Sequence, residues 1–358
     1  MTGAAVPAGG GALPPSRAPR RRRRWLRVAV TLVAAALLHR LVTRLVGTVD
    51  WAAVGAALGS LEAWVVLPLV GALLLRQVLN AVPLTRFLPG LGIARSTQND
   101  LTANLVATLA PPPADIAVRV AMFRSWGLDP VLGMAGVTLN SVQFYVVRFA
   151  VPVLGLGLLA GHGLERRHWL VGALCALAAA VVLAGLALLL RDERLAAWVG
   201  TTAGRAVRVV RRGTDPGEWS ARTVRLRAET STGLRSGLVP SLAALTGMVL
   251  ADAAILLLAL RAVGVRGDDL PLTLVLGVFL LCYPLTILPL FGFGVLDALL
   301  LGWFTASGGQ EVEAGVLAAT VVWRVVTLLG TLALGAVALG LWRAGDRRGA
   351  RAPGPAGR

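Results

Sequence analysis

Three observations predict an all-α fold crossing a membrane several times. Hydrophobic residues make up 56% of the 358-residue chain and charged residues only 15%, against about 25% charged in an average soluble domain. Several apolar runs reach the roughly 20 residues that cross a hydrocarbon core as helix. Two further apolar stretches are broken, at "LAPPPAD" (Leu109–Asp115) and at "LPLFGFG" (Leu288–Gly294), by residues that stop a helix. The expected architecture is six full spans plus two oppositely oriented re-entrant half-helix hairpins, arranged as an inverted repeat.

The N-terminal tail, residues 1–24, opens with low-complexity Pro/Gly/Ala sequence, expected to be disordered, and ends in the run Arg20–Arg24. No small-residue cleavage site follows, so the first span, about Trp25–Leu45, reads as a retained anchor. Residues 49–61 read as an interfacial amphipathic piece with Trp51 at headgroup level. Spans follow at about Ala63–Leu84, Val131–Ala160, Trp169–Leu190, Gly237–Ala262 and Ala314–Trp342. The interrupted stretches lie at about 97–124 and 270–307. Residues 191–236 form an arginine-rich loop, and a basic tail at 346–358 closes a single transmembrane domain at 25–345.

The net charge of +17 comes entirely from arginine, since the chain has no lysine. These arginines cluster in the tails and connecting segments, which argues for the cytoplasmic leaflet and anionic headgroups and against nucleic acid. Cys175 and Cys282 fall in apolar runs, and His39, His162 and His168 are scattered. No disulfide framework, metal site or cofactor is expected.

Parity of crossings then orients the chain. The N-terminal run, the 191–236 loop and the C-terminal tail are the most basic segments, so all three are expected in the cytoplasm of a cell with this protein in its plasma membrane. Segment 97–124 must then enter from the cytoplasm and return to it, with its tip at Pro111–Pro113. Segment 270–307 must do the same from outside, with its tip near Pro289–Gly294. Opposed hairpins of this kind occur in many secondary transporters. A faint echo agrees: "AGVTLNSV" (Ala135–Val142) aligns with "ATVVWRVV" (Ala319–Val326), placing Asn140 opposite Arg324. Two ordinary short-helix hairpins without symmetry are the alternative.

A half-helix that starts at mid-membrane points free N–H groups and a positive dipole end at its tip, which suits an anion such as phosphate. Such backbone must be packed by protein or line a wet cavity. Pro112 and Pro289 mark the tips, and Gly292 and Gly294 let backbone approach a ligand. Asp115 and Asp297 fall in the first turns, as helix caps or as partners of membrane arginines. Arg324 lies roughly 15 Å along the last span, and unpaired it would cost about 2.5 kcal/mol or more, so Asp297 is its leading partner. Arg119 and Arg148 suit either structural pairing or a lipid phosphate, and Arg76 and Asp252 read as a structural pair. Asn104 and Asn140, with Asn80, could line the same cavity, although interhelical hydrogen bonding suits each of them too.

No metalloprotease, P-loop or nucleophile-elbow motif occurs, so no enzyme is predicted. The stretches "NLVATLAPPPADIAVRVAMFRSWGLD" and "LPLFGFGVLDALLLGWF" with "AATVVWRVVTLLG" resemble the lysylphosphatidylglycerol synthase transmembrane-region family over about residues 25–345. The matched positions are Asn104, Pro112, Asp115 and Arg119, then Pro289, Gly292, Gly294, Asp297 and Arg324. The first tip lacks the family's usual glycines, and Asn140 stands where repeat symmetry would put an arginine. The resemblance implies movement or handling of an anionic lipid by a flippase-like membrane domain. No synthase activity is expected, because no large soluble domain accompanies the spans. The leading expectation is a flippase for phospholipid-like or polyprenyl-phosphate-linked lipids. The alternatives are a non-transporting partner of an envelope enzyme and a membrane-embedded lipid-phosphate transferase.

Overall fold

The computed structural model describes residues 62–111, 113–162, 166–191, 216–288 and 294–351, with Ala56, Gly59, Thr201 and Gly292 described singly. The expected first span, the interfacial piece (apart from those two residues), the N-terminal tail, Pro112 and Pro289 lie outside the described residues. Everything described is helix, turn or loop, with no strand among the described residues. Among the described residues five segments are long and apolar enough to cross a membrane: Ala63–Phe87, Pro130–Leu159, His168–Gly185, Gly237–Ala262 and Gln310–Gly345. They fit a polytopic membrane protein.

In chain order the helices are α1 (Val66–Phe87), α2 (Ile93–Leu109), α3 (Ala114–Ser125), α4 (Pro130–Leu159), α5 (Arg166–Arg191), α6 (Pro216–Ala262), α7 (Leu272–Cys282), α8 (Val295–Gly308), α9 (Glu313–Arg324) and α10 (Thr331–Arg351). Local sequence explains most of their ends. α4 starts at Asp129–Pro130, where the Asp129 carboxylate accepts from the Val131 N–H at 2.7 Å and proline takes the first helical position. α3 stops at Gly127 (φ +71°), beyond which the Leu128 N–H reaches back to the Phe123 carbonyl; α6 stops the same way at Gly264 (φ +91°).

Two boundaries differ from the sequence reading. α6 begins at Pro216, so the second part of the expected 191–236 loop is helix continuous with the span. Proline suits a helix start, and residues 217–239 contain no other proline to stop it. α10 runs to Arg351, past the expected end of the domain at 345.

The packing partners follow a pattern. α1 crosses α6 antiparallel, with Gly247 against Leu79 and Gly237 against Arg86 and Phe87. α2 packs on α10, where Gln98 Nε2 donates to the Ala338 carbonyl at 3.0 Å. α7 packs on α4 so closely that a Cβ at Gly155 would lie 2.7 Å from the Gly277 carbonyl oxygen. Both ends of the α2–α3 pair meet at the end of α1, where Leu84, Leu88, Leu91 and Phe123 form a buried cluster under Trp126 and Leu128. Trp342 in the middle of α10 joins them, its Nε1 donating to Ser125 Oγ at 2.9 Å. The two ends of the α7–α8 pair also meet, Gly308 lying against Leu270 and Val312, while Gly315 touches Val265 beyond the end of α6. α5 packs on α4 and leaves Leu174, Leu177 and Val181 exposed, as a helix facing lipid would.

Candidate functional site

Both breaks place charge between helices. The first spans Ala110–Pro113, between α2 and α3. The second is more elaborate. α7 passes into a tighter 3₁₀ turn over Tyr283–Ile287, and the chain then reaches Gly292 (φ +74°) and Gly294 (φ +85°) before α8. A side chain at Gly292 would be strained by its φ and would also meet the Leu285 carbonyl oxygen at 2.7 Å, so only glycine fits.

At the start of α8, Asp297 uses its two oxygens for two tasks. Oδ2 accepts from the Gly294 N–H at 2.9 Å, closing the first turn. Oδ1 accepts from Arg324 Nη2 at 2.7 Å and Nε at 3.0 Å. The sequence left capping and ion pairing open for Asp297, and the carboxylate does both. Arg324 is buried at 7% exposure and stacks on Trp323, 4.4 Å from the ring centre. Directly after Arg324 the helix widens into a π-helical stretch, Val325–Gly330, before α10 resumes. Such widenings are frequent at functional sites.

The first break is wired differently. Arg119 on α3 does not reach a spanning helix. Nη1 donates to Asn99 Oδ1 and Nη2 to Asp100 Oδ1, each at 2.7 Å, so the guanidinium clasps α3 to α2. Asn80 on α1 donates to the other Asp100 oxygen. Asp115 sits half-buried in the first turn of α3, where the helix dipole favours its charge. Asn104 is exposed on α2.

A third group joins α1, α6 and α9. Arg76 Nε on α1 is 3.5 Å from Asp252 Oδ2 on α6, and Trp323 Nε1 donates to Asp252 Oδ1 at 3.0 Å. Trp323 packs edge-on against Phe279, which tilts against Tyr283, which stands edge-on to Phe144. Phe144 in turn lies under Arg148, whose guanidinium carbon is 4.4 Å from the ring centre, with Tyr145 at 5.4 Å. One aromatic chain therefore links Arg148 on α4 to Arg324 on α9.

Trp323, Tyr283 and Phe144 were not singled out from sequence as members of this network. One signal was present: the chain has only two tyrosines. Both lie near Arg148, Tyr145 by direct stacking and Tyr283 through Phe144, on which it packs.

The family model for the lysylphosphatidylglycerol synthase TM region matches residues 24–335, most of the chain. The chain belongs to that family. Among curated proteins none matches it. In this member of the lysylphosphatidylglycerol synthase TM region family, glycines, carboxylate and arginine converge at the second break. The first break carries a proline run, and Asn140, which the sequence echo aligns with Arg324, has its Oδ1 buried without a hydrogen-bond partner.

Proposed function

We propose that the protein is a transporter or flippase that moves lipids with an anionic phosphate headgroup across the plasma membrane, with both termini in the cytoplasm. In this reading α2–α3 and α7–α8 are re-entrant hairpins entering from opposite faces, the expected N-terminal span completes six, and the two halves form an inverted repeat. No covalent step is involved. Arg324, Arg148 and Arg119 neutralise the headgroup phosphate, and Asn140 and Asn104 offer amides along its path.

The exchanged packing carries the proposal. Each half lays the first half of its interrupted pair on the last spanning helix of the other, α2 on α10 and α7 on α4. The register agrees as well. A shift of 182 carries Asp115 to Asp297 and Gln98 to Leu280, while a shift of 184 carries Asn140 to Arg324 and Leu154 to Ala338. Gln98 touches Ala338, and Gly155, next to Leu154, lies against Leu280. Gathering the ends of each interrupted pair at one place supports hairpins that return to the face they entered. Inverted repeats of this kind place a binding site at their interface and alternate its access.

The test is translocation of fluorescent anionic lipid in liposomes holding the purified protein, beside an Arg324→Ala variant. Wild-type translocation that falls at least tenfold in the variant is expected. Absence of translocation by folded wild-type protein across several anionic lipids would overturn the transporter reading, in favour of a lipid-holding partner for another envelope enzyme.

A further inference from the structure

Among the described residues of the spans, buried charge is matched except at one place. Arg76 faces Asp252, Arg119 holds Asp100, and Arg324 holds Asp297. Arg148, eighteen residues into the 30-residue α4, is buried at 7% exposure, and its Nε has no hydrogen-bond partner. No carboxylate or carbonyl among the described residues accepts from its guanidinium. Its contacts are the faces of Phe144 and Tyr145, which attract a cation without neutralising it.

The same helix concentrates unmet polar demand. Among the described residues seven buried side-chain polar atoms lack a partner, and four of them are on α4: Asn140 Oδ1, both amide atoms of Gln143, and Arg148 Nε. Buried polar groups are almost always satisfied in a folded protein, so such a concentration calls for a specific cause. Asn140, Phe144 and Arg148 recur every four residues, which lines them along one stripe of the helix. Tyr283 packs on Phe144 in the middle of that stripe.

We propose that Arg148, on its aromatic base of Phe144, Tyr145 and Tyr283, is the binding site for one singly charged anion, a phosphodiester, and that this site selects the lipid. The assignment rests on the reading of the chain as a handler of anionic lipids and adds the charge and class of the headgroup. An arginine left without a carboxylate in a low-dielectric site gains most from an occupant bringing one negative charge. A phosphomonoester brings close to two at neutral pH, and the second charge would have to compete with the carboxylates that hold Arg119 and Arg324. A zwitterionic headgroup brings an ammonium that Arg148 repels.

The experiment is thermal unfolding of the full-length protein in neutral detergent. Four probes are titrated in: short-chain phosphatidylglycerol (a diester), phosphatidic acid (a monoester), phosphatidylcholine (a zwitterion) and inorganic phosphate. Wild type is compared with Arg148→Met and Arg148→Lys. The diester is expected to raise the melting temperature at concentrations at least tenfold lower than any other probe. Arg148→Met should need at least tenfold more diester than wild type while melting, without probe, at or above the wild-type temperature. An uncompensated buried charge kept for a ligand costs the empty fold stability. Arg148→Lys should recover part of the diester response.

An Arg148→Met protein that fails to fold, or that responds to the diester as wild type does, would overturn the proposal, because the arginine would then be structural or uninvolved. An equal response to inorganic phosphate would overturn the lipid assignment, and an equal response to the monoester would overturn the single-charge rule. Diester binding lost in Arg148→Met by a protein that never translocates would sink the transporter reading and leave this site standing. Translocation indifferent to Arg148→Met would do the reverse.

Discussion

Asp297 shows how one carboxylate can serve both the local fold and a long-range contact. The Gly294 N–H and the Arg324 guanidinium bind different oxygens, so the start of α8 and the face of α9 are fixed by a single side chain. Breaking a buried ion pair from one side costs about 3 kcal/mol or more, because the partner stays buried and charged. Asp297→Asn should therefore destabilise strongly, since it strands Arg324. Arg324→Met should cost less, because Asp297 keeps its amide bond and is the more exposed partner. The double variant should recover much of the loss. Thermal unfolding of all four proteins gives the coupling, and strictly additive losses would mean the pair is not coupled. This pairing was legible in sequence, because a deep arginine needs an acid and Asp297 alone stood at a second break. The roles of Trp323 and Tyr283 were not, because aromatic side chains in apolar helices look alike until their neighbours are known.

At the scale of elements, the spans were legible from length and apolar content, and the breaks from proline and glycine. What sequence could not convey is how closely the helices pass. Gly155 reads as one more small residue in "VLGLG", yet a Cβ there would sit 2.7 Å from the Gly277 oxygen and 2.8 Å from the Leu281 nitrogen. Gly335 is held in the same way against the Leu101 carbonyl, on the other crossing of a spanning helix with an interrupted one. Backbone cannot step aside as a flexible side chain can. Gly155→Ala and Gly335→Ala should each cost about 1–3 kcal/mol, the range for overpacking a tight contact. Gly157 and Gly340 lie in the same helices with open space around them. Alanine at either should be neutral, or stabilising by up to ~1 kcal/mol from helix propensity. Equal melting temperatures for all four variants would mean the crossings are not tight in solution.

At the scale of the molecule, the orientation proposed from parity can be set beside the packing. Parity counts crossings between arginine-rich segments and never considers contacts. Packing brings Arg86 at the end of α1, Trp126 beyond α3 with Arg95 stacked over it, and Trp342 next to Arg343 towards one end of the helices. Val265, Leu270, Gly308 and Gly315 gather at another place, where Asp268, Asp269, Glu311 and Glu313 outnumber Arg261 and Arg266. A basic end and a more acidic end fit the cytoplasmic and outer faces. Sequence could supply the count because charge sets topology, but not the exchange of partners, which depends on side chains far apart in the chain. The proposal of opposed hairpins makes a prediction that needs no ligand. With Cys175 and Cys282 replaced by alanine, Ser125→Cys and Asp268→Cys place single thiols beyond the two interrupted pairs. A membrane-impermeant maleimide should label Asp268→Cys in intact cells and Ser125→Cys only after permeabilisation. Labelling of both from the same side would rule out the inverted repeat, since two hairpins entering from one face cannot be related by an axis in the membrane plane.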